Sequence, residues 1–525
     1  MLIIVLALGL TLRLYLLLAS HGYVDGDEAL VGLQALDILQ GRHSVFFAGE
    51  LLAGSVEAYL VALFFWLFGA SPFTLRIVPL AFSLGFILLN YHLARRVFGQ
   101  AVGLLSALLV ALSPLLLSVV SLKTWGGYIE TATMGEAALL LTLLVLSRDS
   151  VDRLSIGYIA AAGLISGLAT WMHPLYFYYL FTLGVVLSWY RFRRSFSEFV
   201  AFAVPFLVGC APLWLSYLRQ STGPSASSVA GLVPLDQLPS AALASLSYLV
   251  TDAVRALWGL RPSKGPLLLS LAWIVIPVYL SALAYVVYRQ VATRAEGRSR
   301  EGRVLLVFLL LSPFIFVLGA MTNGNYTVII PGSGLLDRYL APLYTVLPIF
   351  VAAAAWAAWR RTRWLSIAMI GIVIGVSLWS NFSANPVASM RSPFENVPLP
   401  ASNAELVNFL QSQGIRHAYA THWIGYRIMF DTQQAVQTSD YVENTYGMDR
   451  LPRSSQAVEE ATEAPAYILF NPGWKRPPPL DGRLQALGVT FSKIELQDYL
   501  VYYSLSRRVH PSEVIDTLVW PYWYS

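Results

Sequence analysis

The chain is 525 residues long, 56% hydrophobic and only 12% charged, with a mean hydropathy of +0.60. Soluble domains carry about twice that charged fraction, so a soluble globular enzyme is excluded, and the single cysteine, Cys210, excludes a disulfide framework or a thiolate metal site. The net charge of +5 is no sign of nucleic acid, because the basic residues fall between apolar runs.

Those runs are each close to the roughly 20 residues that cross a bilayer as a helix. In chain order they are Leu2–Ala19, Ala58–Phe68, Thr74–Leu93, Ala101–Val120, Thr131–Ser147, Ser155–Thr170, Leu175–Trp189, Phe199–Leu218, Leu267–Tyr288, Val304–Ala320, Tyr339–Trp359 and Trp364–Ser380. Met1 opens directly into the first run without a positive leader, and Arg13 interrupts it, which reads as a span rather than a cleaved signal. Ala58–Phe68 is too short to cross comfortably. If it lies along the surface, one set of alternate loops collects Arg95 and Arg96; Arg148 and Arg153; Arg191, Arg193 and Arg194; Arg289, Arg294, Arg298, Arg300 and Arg303; and Arg360, Arg361 and Arg363. By the positive-inside rule that side is cytoplasmic. The expectation is a polytopic α-helical membrane protein of about eleven transmembrane helices over residues 1–380. Its first outer loop, residues 20–73, would contain juxtamembrane helices.

Residues 381–525 are more polar and richer in proline, and read as an extracytoplasmic α/β domain. Ser402-Asn403-Ala404-Glu405 has the spacing of a capping box, opening a helix that Gly414 closes. "HAYAT", "AYILF", "VTFSKIEL" and "YLVYYSL" read as strands, "LQALG" as a helix end and "KRPPPL" as a rigid connector.

The chemistry-bearing residues collect in the outer loops. "DGDEA" places Asp25, Asp27 and Glu28 just after the first span. Asp27 could be the N-cap of a helix running to Ile38, with Glu28 serving the helix dipole. "SLKTWGGYIETATMGEAALLL" supplies Lys123, two glycines that permit close backbone approach, Tyr128, Glu130 and, deeper, Glu136, which needs a partner or a cavity. In "LLDRYLAPLY", Arg338 is a cation on the side opposite the others. Its fork of donors suits a phosphate, with a salt bridge to Asp337 or a lipid headgroup contact as the equal alternative. Glu57 opens the surface helix, and His173-Pro174 sits in a short outer loop. Arg13, inside the first span, either snorkels outward or pairs with an outer-loop acid, the pairing being favoured.

The ordered set "DGDEA", "GELLAGSVEAYLVALFFWLFGASPFTLRIVPLAF", "GGYIET" and "DRYLAPLY" resembles the GT-C superfamily of integral membrane glycosyltransferases, most of all its protein O-mannosyltransferase and aminoarabinose-transferase-like branch. "GGYIET" is also similar to the second-loop motif of the oligosaccharyltransferase catalytic subunit. The resemblance implies a glycosyltransferase moving a sugar from a polyprenyl-phosphate donor to an acceptor on the outer face, with inversion. It implies Asp27 as general base beside Glu28 and Asp25, Glu130 as the second-loop acid, and Arg338 with Tyr339 at the lipid phosphate. Lys123, Tyr128, Glu57 and His173 are further candidates for substrate binding. Partial burial would raise the pKa of Asp27 and sharpen it as a base. No cofactor is assigned. A divalent cation is compatible with the family, but Ala132 stands where the oligosaccharyltransferase pattern has a second acid, which argues against a tightly held metal. The acceptor, whether protein, lipid or glycan, is not legible. The competing readings are a transporter or flippase of lipid-linked saccharides, which should show an internal repeat and midplane polar breaks, and a silent scaffold.

Overall fold

The computed structural model describes residues 1–50, 53–148, 150–193, 195–219, 235–261, 265–292, 300–322, 337–384, 402–441, 449–470 and 480–518. Arg194, Arg294, Arg298 and the "KRPPPL" connector apart from Leu480 lie outside them. All eleven expected spans are helical. Among the described residues, seven helices are long and apolar enough to cross a membrane: Leu2–Ala19, Pro72–Phe98, Tyr128–Leu146, Arg153–Met172, Pro266–Ala292, Arg300–Gly319 and Arg363–Ser383. Two further spans are bent pairs. Phe196–Gly209 and Ala211–Arg219 meet at 62°, and Asp337–Thr345 and Leu347–Trp359 at 44°. Proline accounts for both bends: Pro212 in the first pair, Pro342 and Pro348 in the second, each lacking the N–H that an α ladder requires. The Asp337–Thr345 segment is accordingly a 3-10 helix rather than the first turns of an α-helical span. The other two expected spans are shorter. Gln100–Ala111 resumes after Pro114 as Leu115–Val120, and Phe177–Leu187 continues as a π turn, Ser188–Phe192.

Small residues set the closest helix contact. A Cβ on Gly163 would lie 2.3 Å from the Phe202 carbonyl oxygen, and one on Gly167 2.1 Å from that of Phe206. The spacing is that of a small-xxx-small interface, where backbones meet without intervening side chains. Deeper in the bundle, Asn90 Nδ2 donates to Glu136 Oε1 at 2.8 Å and to the Thr345 carbonyl at 3.1 Å. This supplies the partner that Glu136 requires. Arg13 differs from expectation. Its guanidinium bonds the Gly9 and Ala111 carbonyls and Ser121 Oγ, so acceptors within the bundle hold it in place of an acid of the loops.

The first loop forms two helices, Gly26–Leu39 and Val56–Phe68. At 1.5 Å per residue the second is about 20 Å long, short of the roughly 30 Å of hydrocarbon. It buries Glu57, Ala58, Val61, Ala62 and Phe65 and exposes Leu63, Trp66, Leu67 and Phe68. One side thus packs inward while an apolar side remains open, as suits a helix lying along a bilayer.

The C-terminal part is a five-stranded sheet, β1 (His417–Ala420), β2 (Gln437–Asp440), β3 (Ala466–Phe470), β4 (Ser492–Leu496) and β5 (Tyr499–Tyr503), in the order β2-β1-β3-β5-β4. β1 is parallel to β2 and β3, β5 is antiparallel to β3, and β4 closes a hairpin with β5. Alternation sends Tyr419, Tyr467 and Tyr502 to one core and Ala418, Ile468 and Val501 to the other. The expected Ser402–Glu405 capping box does not form. Asn403 is the N-cap of Ala404–Ser412, and its side chain is instead drawn into bonds with Asp431 and Tyr499.

This domain does not stand apart from the membrane part. The His422–Asp431 helix lies against Gly26–Leu39, and Tyr426, Met429 and Phe430 share one apolar core with Val24, Leu30, Leu33, Val61 and Phe65. Gly32 has no room for a side chain, since a Cβ there would meet the Phe430 ring at 2.5 Å. Asp37 accepts from Gln434 Nε2 at 3.1 Å, and the Arg427 guanidinium lies 3.9 Å from the centre of the Tyr23 ring.

Candidate active site

The three acids of "DGDEA" have different surroundings. Asp25, not Asp27, is the N-cap of Gly26–Leu39, and with Glu28 it completes a reciprocal capping box. Every oxygen of this pair is held. Asp25 Oδ1 accepts from Glu28 N at 2.9 Å, and Oδ2 accepts from Lys123 Nζ at 2.6 Å and Trp125 Nε1 at 3.0 Å. Glu28 takes the fork of Arg76, Nε to Oε1 and Nη2 to Oε2, both at 2.8 Å, with Lys123 Nζ at 2.9 Å. Asp25, Glu28, Arg76 and Lys123 are all fully buried. The Arg76 carboxylate clamp and the Lys123 bridge tie the first loop to the starts of two spans. Burial raises the Asp25 pKa against the pull of Lys123. Burial also opposes ionisation of Glu28, but Arg76 and Lys123 prevail and hold its pKa below the ordinary value.

Removing one member of such a network strands a buried charge. Arg76→Met should lower stability by about 3–5 kcal/mol, visible as an early thermal unfolding midpoint in detergent. An unchanged midpoint would mean that Glu28 is compensated elsewhere.

Asp27, freed from the cap, turns the other way. Oδ1 lies 3.2 Å from His422 Nε2, and Oδ2 lies 3.6 Å from Arg338 Nη1. Asp27 and Arg338 side chains keep 17% and 15% of their surface exposed, in contrast to the sealed Asp25 and Glu28. Burial pushes the Asp27 carboxyl up, but His422, Arg338 and Arg450 outweigh it and hold the pKa well below the usual carboxylate range. This reverses the expectation of a raised pKa. The neighbouring cations come from distant parts of the chain, so spacing could not reveal them.

Arg338 sits among aromatic faces, 5.1 Å from the ring centre of Trp125, 5.3 Å from Tyr128 and 5.6 Å from Tyr339. Its Nε is buried without a hydrogen-bond partner among the described residues. The alternative salt bridge with Asp337 is not made. Asp337 instead bonds Tyr248 at 2.7 Å and Arg261 at 2.6 Å. His173 Nδ1 accepts from Leu175 N at 3.0 Å, capping the short Pro174–Tyr176 turn. Its ring packs on Tyr128 at 4.5 Å. Burial, with Arg338 nearby, pushes its pKa down to about 3, so the imidazole is neutral.

The glycine pair of "GGYIET" bends the chain through positive φ, 88° at Gly126 and 102° at Gly127, which side chains disfavour. The turn aims Gly126 N at Glu57 Oε2. Burial and the charge of Glu130 push the Glu57 pKa well above its ordinary value. Both Glu130 oxygens and Glu57 Oε1 are buried without a hydrogen-bond partner among the described residues. These two carboxyls are the nearest approach to a metal-binding pair. Among the described residues no group of three or more His, Cys, Asp or Glu gathers in a metal-binding arrangement. The first-loop acids here are already matched with Lys, Arg or His, and no step below uses a metal ion.

Lys123, Trp125, Tyr128, Glu130, Arg338, Tyr339 and the first-loop acids therefore converge at one end of the helical bundle. Sequence reading missed Arg76, Trp125 and His422. For Arg76, an arginine within the first residues of the Thr74–Leu93 apolar run was an available signal.

Residues 54–217 match the family model described as dolichyl-phosphate-mannose-protein mannosyltransferase. No curated protein sequence matches the chain. Among solved structures, ArnT from Cupriavidus metallidurans in the apo state is 14% identical, with a TM-score of 0.61 over 94% of this chain and 97% of that one. The same protein bound to undecaprenyl phosphate gives 14% identity and a TM-score of 0.62 over 95% and 97%. At this identity the likeness establishes the fold.

Proposed function

We propose that the chain transfers a sugar from a polyprenyl-phosphate donor to an acceptor on the extracytoplasmic face of a bacterial inner membrane. The observation that carries this is the pairing of Asp27 with Arg338, two part-exposed groups of opposite charge at the outer end of the bundle. The family match and the undecaprenyl phosphate bound by ArnT support the donor class. The sidedness rests on the arginines of the opposite loops.

In this mechanism the donor phosphate takes the fork of Arg338, whose buried Nε is a donor with capacity to spare. Tyr339 and Tyr128 flank the phosphate, and Glu57 and Glu130 face sugar hydroxyls. Binding the phosphate divides the charge of Arg338 and weakens its hold on Asp27 Oδ2. The basicity of Asp27 rises at that moment, so the base is quenched until the donor arrives. An acceptor hydroxyl then gives its proton to Oδ2 and forms a bond to the anomeric carbon. The bond from that carbon to the phosphate oxygen breaks, and its electron pair leaves with the polyprenyl phosphate, whose charge Arg338 stabilises. A single displacement inverts the anomeric configuration.

The direct test offers purified protein a panel of polyprenyl-phosphate sugars and follows release of polyprenyl phosphate. Release with at least one sugar, by transfer or slow hydrolysis, is expected. A protein that instead carries intact lipid-linked sugar across a vesicle membrane without cleaving it would be a transporter.

A further inference from the structure

We infer that His422, carried by the C-terminal domain, is a positioning residue for Asp27, so that the reacting carboxylate is assembled from both ends of the chain. This rests on the assignment of Asp27 as the base. Three features of the packing support it. His422 is the first residue of the His422–Asp431 helix, and that helix is fixed to the first loop by Phe430 over Gly32, Gln434 on Asp37 and Arg427 over Tyr23. The imidazole therefore has little freedom to leave. Trp423 and Tyr426 hold the ring edgewise, with centroids 4.6 and 4.9 Å away. Gly26 makes room for it, since a Cβ there would lie 2.7 Å from His422 Cδ2 and 2.9 Å from Nε2. The glycine between the two aspartates is thus what lets the histidine reach the carboxylate.

The two oxygens of Asp27 then have separate tasks. Oδ1 faces His422 and Oδ2 faces Arg338. When the donor phosphate draws Arg338 away, Oδ2 is released to the acceptor hydroxyl, while His422 keeps Oδ1 in place and stops the carboxylate from rotating. A base held by one oxygen reacts through the other with less reorganisation. On this view the domain completes the active site and does more than recognise an acceptor.

The test compares His422→Ala, His422→Gln and Asp27→Asn in the full-length protein, with steady-state transfer, donor binding and thermal midpoint measured for each. His422→Ala should lower kcat about 10- to 100-fold, less than loss of the base itself, with donor affinity within about twofold of wild type. His422→Gln, whose amide can reach nearly the same place as Nε2, should recover most of the rate. Should the alanine variant fail to fold, the glutamine variant still reports. Wild-type kcat in His422→Ala alongside an inactive Asp27→Asn would overturn the role of His422 and leave the base assignment standing. Equal losses in the alanine and glutamine variants would reduce His422 to a packing residue. Full activity in Asp27→Asn would remove the base assignment and this inference with it.

Discussion

Asp27→Asn should reduce transfer by about 10²–10⁴-fold, the usual contribution of a positioned general base, while donor binding is kept or tightened. The asymmetry follows from the geometry. Asparagine is nearly isosteric, and Asp27 does not cap the helix, since Asp25 does; the fold should survive. Losing the carboxylate 3.6 Å from Arg338 leaves the guanidinium wholly available to phosphate, so the donor dissociation constant should not rise. Single-turnover rates and donor binding on the same preparation separate the two effects. Because the Asp27 pKa lies below the ordinary range, the free enzyme keeps this carboxylate ionised as the pH falls through the region where ordinary aspartates protonate. Any loss of kcat/KM between about pH 7 and 5 must therefore come from another group. Equal activity in Asp27→Asn and wild type would require a different base.

Arg338→Ala should fail differently. It removes the group that both binds the phosphate and stabilises the charge leaving with it. A loss of about 10²–10³-fold in kcat/KM is expected from one electrostatic donor, with a clear loss of donor affinity. Arg338→Lys should restore part of the affinity and less of the rate, because an ammonium supplies charge without the planar fork or the stacking on Trp125, Tyr128 and Tyr339. Removing this cation also relieves Asp27, so its pKa should move up. If Arg338→Ala bound polyprenyl phosphate as well as wild type, the phosphate site would lie elsewhere, with Lys123 excluded as its replacement by its burial between Asp25 and Glu28.

The membrane class and the eleven helical segments follow from hydropathy and the distribution of arginine. These are one-dimensional quantities that a bilayer reads directly. Interruptions at Pro114, Pro212 and Pro342 were visible as residues, but their angles depend on what packs against each break. The candidate residues were equally visible, because carboxylates and an arginine in the loops of so apolar a chain stand out. The capping box that removes Asp25 and Glu28 from solvent was present in the spacing of "DGDE". Its meaning depended on Arg76 and Lys123 closing over it, and no local pattern predicts that closure. Asp27 owes its low pKa and its two-sided setting to Arg338 and His422, which lie hundreds of residues away. Electrostatics acts through space rather than along the chain, so only the folded packing of the His422–Asp431 helix on Gly26–Leu39 could decide which of the three acids was left open to react.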